Sequence, residues 1–148
     1  MIVYVGAYHG QPIEFNEDHA RLLTHINYAF ANVVDGRVVE DASMRSNAIN
    51  FEKLHRLKTI NPDLSILVSV GGWTWSKGFS DAVLSESSRE LFANTSIEYL
   101  KKFKLDGLDY DWEYPGQIGD NNPFRPEDKE NFTLALKRVR EKLDSLQR

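Results

Sequence analysis

The sequence predicts an α/β chain of the (β/α)8 barrel type, supplying about four βα units, a half-barrel. Three observations lead there. Short apolar runs alternate with helical patterns four times, the order that builds a parallel sheet with crossover helices. The runs are rich in Val, Ile, Tyr and Phe and read as apolar on both faces, as strands covered by other layers do. The residues suited to chemistry, Ser69-Val70-Gly71-Gly72-Trp73 and Glu113-Tyr114-Pro115, follow the third and fourth runs. Those are the carboxyl ends, where barrels of this type carry their active sites. A doubly wound open sheet competes, but Val5-Gly6-Ala7-Tyr8-His9-Gly10 lacks the glycine spacing of a phosphate loop.

The elements follow in order. The first strand is expected over Ile2–Tyr8, then a short helix over Glu17–Leu23 with Asn16 or Asp18 as its cap. A strand over His25–Val33 precedes a helix over Ser46–Ile60, whose apolar side is Ile49, Leu54, Leu57 and Ile60 and which Asn61-Pro62 closes. The third strand spans Leu64–Val70. Ser87-Ser88-Arg89-Glu90 then opens a helix as a capping box, with Leu91, Phe92 and Leu100 inward. The fourth strand is Leu105–Trp112. The last helix carries Pro126 near its first turn, then Glu127 and Asp128. Phe132, Leu136, Val139, Leu143 and Leu146 recur along it as one core-facing stripe. A full barrel takes ~250 residues, so residues 1–148 read as its N-terminal half. The outer strands would then be bare sheet edges. A fragment, a split domain, or a half-barrel that pairs with a second copy or a complementary half is the expectation.

Composition narrows the function classes. Hydrophobic residues make up 41% and charged ones 27% of the chain, ordinary values for a globular domain. A net charge of −4 and a pI near 5.6 give no footprint for nucleic acid or an anionic membrane. Without cysteine there is no disulfide framework and no thiolate zinc site. His9, His19, His25 and His55 lack metal-ligand spacing and read as surface or cap residues. No cofactor motif is present. The apolar start Met1–Val5 is too short for a signal peptide, which leaves location open.

The densest signal is Asp106-Gly107-Leu108-Asp109-Tyr110-Asp111-Trp112-Glu113-Tyr114-Pro115. Strand alternation puts Asp109, Asp111 and Glu113 on one face, roughly 6–7 Å apart, and Leu108, Tyr110 and Trp112 on the other. Like charges on a partly buried face resist ionising together, a cost that marks functional sites. An exposed acidic edge fits poorly with Tyr110 and Trp112. A calcium loop needs Gly at its sixth position and Glu at its twelfth. Counted from Asp106 these are Asp111 and Gln117, and from Asp109 they are Tyr114 and Asp120. The reading is a catalytic carboxylate ladder with no metal. Asp109, deepest, should feel the strongest desolvation, and Glu113, last, should meet substrate at the mouth. Asp106 has the wrong parity and reads as a hydrogen-bonding residue at the strand start. Trp73 and Trp75 follow a Gly-Gly at a strand end, where an aromatic face could meet a ligand or simply be buried. Tyr28 and Phe30 are expected to line the barrel floor and Trp112 to pack on helices, while Gly71 and Gly72 give the backbone room to turn or let a ligand approach.

Asp106, Asp109, Asp111 and Glu113 form a D-x-x-D-x-D-x-E signature continuing into Tyr114-Pro115, and Ser69-Val70-Gly71-Gly72 an S-x-G-G motif. With Thr24-His25-Ile26-Asn27-Tyr28-Ala29-Phe30, the chain resembles glycoside hydrolase family 18, the chitinase family, over nearly its whole length. The resemblance implies hydrolysis of β-1,4-linked N-acetylglucosamine, in chitin or its oligosaccharides, by a retaining, substrate-assisted mechanism. Glu113 would be the general acid and base, Asp111 would hold the acetamido group, and Asp109 would share a proton with Asp111. Tyr4 and Ser69 resemble the partners of the inner Asp. Trp73, Tyr114, Gly71, Gly72 and Phe30 fall where the family binds sugar. The family also implies a secreted or periplasmic setting, and it draws a tyrosine, an acid and a tryptophan from later strands. A lectin-like binding module and a self-associating half-barrel are the other readings; the intact Glu113 favours the hydrolase.

Overall fold

The computed structural model describes residues 1–6, 13–44 and 46–146. The chain runs β1 (Ile2–Gly6), α1 (Glu17–Leu22), β2 (His25–Val34), β3 (Arg37–Val39), α2 (Asn47–Leu57), β4 (Ser65–Gly71), α3 (Phe79–Ala82), α4 (Glu86–Phe103), β5 (Gly107–Asp111) and α5 (Asp128–Leu146). Strands β1, β2, β4 and β5 pair in parallel in that order. This is the sheet expected of consecutive βα units in a barrel. Residues 7–12, with the end of the first apolar run and His9, lie outside the described set.

The short β3 was not anticipated. It pairs antiparallel with β2 through an Asp35-Gly36 turn, in which both residues have positive φ (48° and 74°). Asp-Gly between Val-rich runs is a hairpin signal that the alternating βα reading passes over. The one-turn helix α3 was likewise unforeseen.

Helices cover one face of the sheet. Ile26, Tyr28, Ile66, Val68 and Val70 are fully buried there. The ring of Tyr28 lies 4.5 Å from Phe51 of α2, and Phe51 lies 4.7 Å from Phe103 of α4. Trp112 stacks on Phe79 at 5.1 Å and meets Phe132 of α5 edge-on, so it packs on helices as expected. Burial on this scale is worth roughly 1.5–3 kcal/mol per large side chain. The other face is concave and mixed, carrying Tyr4, Asn27, Leu67, Ser69 and Asp109. The expectation of strands apolar on both faces therefore holds for the helix side only.

Three helix details correct the sequence pattern. Ser85, not Ser87, caps α4: it exchanges backbone-to-hydroxyl hydrogen bonds with Ser88. Glu90 is thereby left to pair with Arg138 and Lys142 on α5. Ile49 points outward and is 55% exposed; its place is taken by Asn50, which accepts from Ile13 N and donates to Tyr28 Oη, both at 3.0 Å. On α5 the buried turn is Ala135 rather than Leu136. Leu136 and Leu146 are exposed, and the fully buried Ala135 takes the inward place. At α1, Asn16 is the cap and His19 completes its capping box.

Candidate active site

The carboxylates gather on the concave face because parallel pairing sets Ser69 beside Asp109 and Gly71 beside Asp111. Asp109 Oδ2 accepts from Ser69 Oγ at 2.7 Å and from Tyr4 Oη at 3.0 Å. Two neutral donors on one oxygen fix the inner carboxyl without cancelling its charge. Asp111, one turn of the pleat nearer the mouth, has its pKa pushed up, first by burial and then by the charges of Glu113 and Asp109. The carboxyl biased toward holding a proton is thus Asp111, in the middle of the ladder.

β5 ends at Asp111, so Glu113 stands on the loop just beyond the strand. Its backbone is gripped from both sides: Glu113 N donates to Ser76 Oγ at 2.9 Å, and Asn122 Nδ2 donates to Glu113 O at 3.0 Å. Glu113 lines a cavity of about 540 Å³ together with Phe30, Ser43, Met44, Gly71, Trp73, Thr74 and Trp75. That space accommodates a sugar-sized ligand, and its walls are mostly apolar with one carboxyl, the mix that binding clefts show. Tyr114 is exposed beside Glu113, and interaction with the Glu113 side chain, then its charge, pushes the phenol upward.

Phe30 reaches this cavity and Tyr28 does not. Ala29 pairs with Ser69, but Ala31 pairs with Val70, the next residue on β4. Phe30 is the extra residue of the bulge and swings to the concave side, while Tyr28 turns outward to Asn47, donating to its Oδ1 at 2.8 Å. The placement of Tyr28 on the barrel floor is corrected accordingly. The Phe30 ring lies where a side chain on Gly72 would project, with a built Cβ only 2.9 Å from ring carbons, and a Cβ on Gly71 would come 2.6 Å from Asp111 O. Gly71 and Gly72 have positive φ, 104° and 77° respectively. They permit close approach of backbone and ring, as only glycine can here.

Trp73 is 51% exposed and offers a face to the cavity, while Trp75 is half-buried against the core. Asp106 lies apart from the ladder. It accepts from Ile66 N at 2.7 Å and from Lys58 Nζ at 2.7 Å, tying the start of β5 to β4 and α2. Met44, Ser43, Ser76 and Asn122 are residues of the site that the sequence pattern does not single out. Their contribution is set by loop contacts that no periodicity encodes.

A model of glycosyl hydrolases family 18 matches residues 1–148. The chain is 52% identical to chitinase A1 of Niallia circulans over 97 residues, 65% of this chain and 14% of that protein. It is 36% identical to chitotriosidase-1 of Mus musculus over 116 residues, 78% of this chain and 24% of that protein. Among solved structures, a family 18 N-acetylglucosaminidase from Paenibacillus barengoltzii superposes with a TM-score of 0.85 at 39% identity, covering 97% of this chain and 40% of the other. The catalytic domain of a psychrophilic chitinase B from Arthrobacter TAD20 gives a TM-score of 0.84 at 25% identity, covering 98% and 48%. The chain spans less than half the length of each of these relatives.

Proposed function

The chain belongs to glycosyl hydrolases family 18, and from that premise we propose that it is the acid-bearing N-terminal half of a barrel that hydrolyses chitin or N-acetylglucosamine oligosaccharides. The observation that carries this reading is the ladder Asp109–Asp111–Glu113 opening into the cavity beside Trp73, with Asp111 biased toward its protonated form. Glu113, at the mouth, protonates the glycosidic oxygen and afterwards deprotonates the attacking water. The acetamido carbonyl of the sugar attacks the anomeric carbon, so that the C–O bond to the leaving sugar breaks as an oxazolinium ring closes. Asp111 accepts a hydrogen bond from the acetamido N–H and opposes the positive charge. Asp109, held by Tyr4 and Ser69, exchanges a proton with Asp111. Trp73, Tyr114 and Phe30, with the open backbone at Gly71 and Gly72, bind the ring.

The test is release of fluorophore from a fluorogenic N,N′-diacetylchitobioside, with Glu113→Gln as the matched control. Turnover by the parent and none by the variant is the expected pattern. Each transition-state donor drawn from outside this half is worth about 10²–10³ in rate, so turnover by the chain alone is expected to be slow. Equal release by parent and Glu113→Gln would overturn the assignment of the acid.

The edge strand β1, with Ile2 60% and Tyr4 58% exposed, favours association with a second copy or a complementary half-barrel. Sedimentation at twice 17.0 kDa, or on addition of such a half, tests this.

A further inference from the structure

We propose that Ser76, with Asn122, is a positioning residue that sets Glu113 relative to the sugar-stacking Trp73, an inference that rests on the site reading above. Ser76 is fully buried, and its hydroxyl joins three backbone groups. It donates to Gly72 O at 2.8 Å, lies 3.3 Å from Asp111 O, and accepts from Glu113 N at 2.9 Å. Gly72 N in turn donates to Asp111 O at 2.7 Å. Gly72 immediately precedes Trp73, so one hydroxyl links the residue carrying the aromatic face to the residue carrying the acid. On the far side Asn122, 4% exposed, holds Glu113 O. Gly119 makes room for that carbonyl, since a Cβ there would come 2.1 Å from it. Glu113 has left the strand ladder at this point, so these contacts replace the β5 pairing as what holds it. Positioning to within a fraction of an ångström is what such a group requires, because a 1 Å displacement can cost about 10²-fold in rate.

The experiment is solution NMR of the whole chain and of Ser76→Ala, Ser76→Thr and Asn122→Ala, without and with N,N′,N″-triacetylchitotriose. In Ser76→Ala the Glu113 amide should exchange faster by on the order of tenfold, the worth of one hydrogen bond, while Val68 and Val70 amides in β4 keep their protection. With sugar bound, the Trp73 indole signal should shift as in the parent, and the response of the Glu113 carboxyl carbon should fall by more than half. Ser76→Thr, which restores the hydroxyl, should recover both readouts. A Ser76→Ala protein whose Glu113 exchange and sugar response match the parent overturns the proposal. Should Ser76→Ala lose β4 protection, Asn122→Ala applies the same two readouts from the other side of Glu113. A parent whose Trp73 ignores the sugar refutes the sugar-site reading instead, and the sugar-free exchange then decides for or against Ser76.

Discussion

Tyr4 Oη lies 3.0 Å from Asp109 Oδ2, although β1 and β5 stand at opposite edges of the sheet with β2 and β4 between them. Flat, three strand spacings of ~4.8 Å would separate them by about 14 Å. The bond closes because the sheet coils toward a barrel, and it shares its acceptor oxygen with Ser69 Oγ. Ser69 is fully buried and Tyr4 is not. Ser69→Ala should therefore cost about 1–3 kcal/mol, and Tyr4→Phe only about 0.5–1.5 kcal/mol, since water replaces the exposed donor. A double-mutant cycle by urea unfolding should show coupling between the two; strictly additive losses would refute the shared anchor.

Asp111 has a raised pKa, caused first by burial. Below the ordinary value of 3.8 it is protonated whether the chain is folded or not. Between that value and its raised native one the folded state holds more protons, so stability falls as pH rises through the window. Asp111→Asn mimics the protonated form and should be more stable than the parent near neutral pH, with the gap closing below 3.8. Urea midpoints across that range check the sign, and a gap widening toward acid would contradict it.

Glu90 behaves in the opposite sense. Hydrogen bonds from Arg138 and Lys142 draw its pKa from 4.5 to about 2, joining α4 to α5. The stability this supplies is present above 4.5 and is lost as pH falls toward about 2. The pair is solvated, so salt should weaken it. Glu90→Gln should lower the urea midpoint slightly near neutral pH, less so at high salt, and not at all at the acid end of the window.

Legibility differed by element for physical reasons. A dense apolar run such as β4 and a 3.6-residue helical pattern such as α4 stand close to where the sequence puts them. The ladder parity of Asp109 and Asp111 follows from a two-residue repeat that the strand must obey. Phe30 escapes that repeat because a single bulge residue reverses parity. Ile49 and Leu136 depart from the pattern because periodicity counts apolar residues, whereas α2 turns Asn50 inward to satisfy Tyr28 and α5 buries Ala135 instead. The grip on Glu113 by Ser76 and Asn122 is tertiary, between segments 37 and 9 residues away, and no local pattern carries it.

Asp128 is a further case in which a tertiary role hides behind a local one. At the start of α5 it reads as a helix-favouring acid, yet it is completely buried. Its carboxylate accepts from Ser80 Oγ and Arg125 N at 2.7 Å each and from Gly116 N at 3.4 Å. One side chain thus ties the loop that follows Glu113 to α3 and α5. Arg125 adds a second connection by donating to Ser80 Oγ and to Asp81. Asp128→Ala would leave the buried Ser80 hydroxyl and the half-buried Arg125 and Gly116 amides without this acceptor. At about 1–3 kcal/mol for the buried donor and less for the other two, the loss is a large share of a domain stability of about 5–15 kcal/mol. Asp128→Asn keeps one acceptor oxygen and should cost clearly less. Equal urea midpoints for the two variants would mean that volume, not hydrogen bonding, is what the site demands. A larger loss in Ala than in Asn, with faster exchange at Gly116 in Ala, would place the acid-bearing loop under the control of a carboxylate outside the cavity.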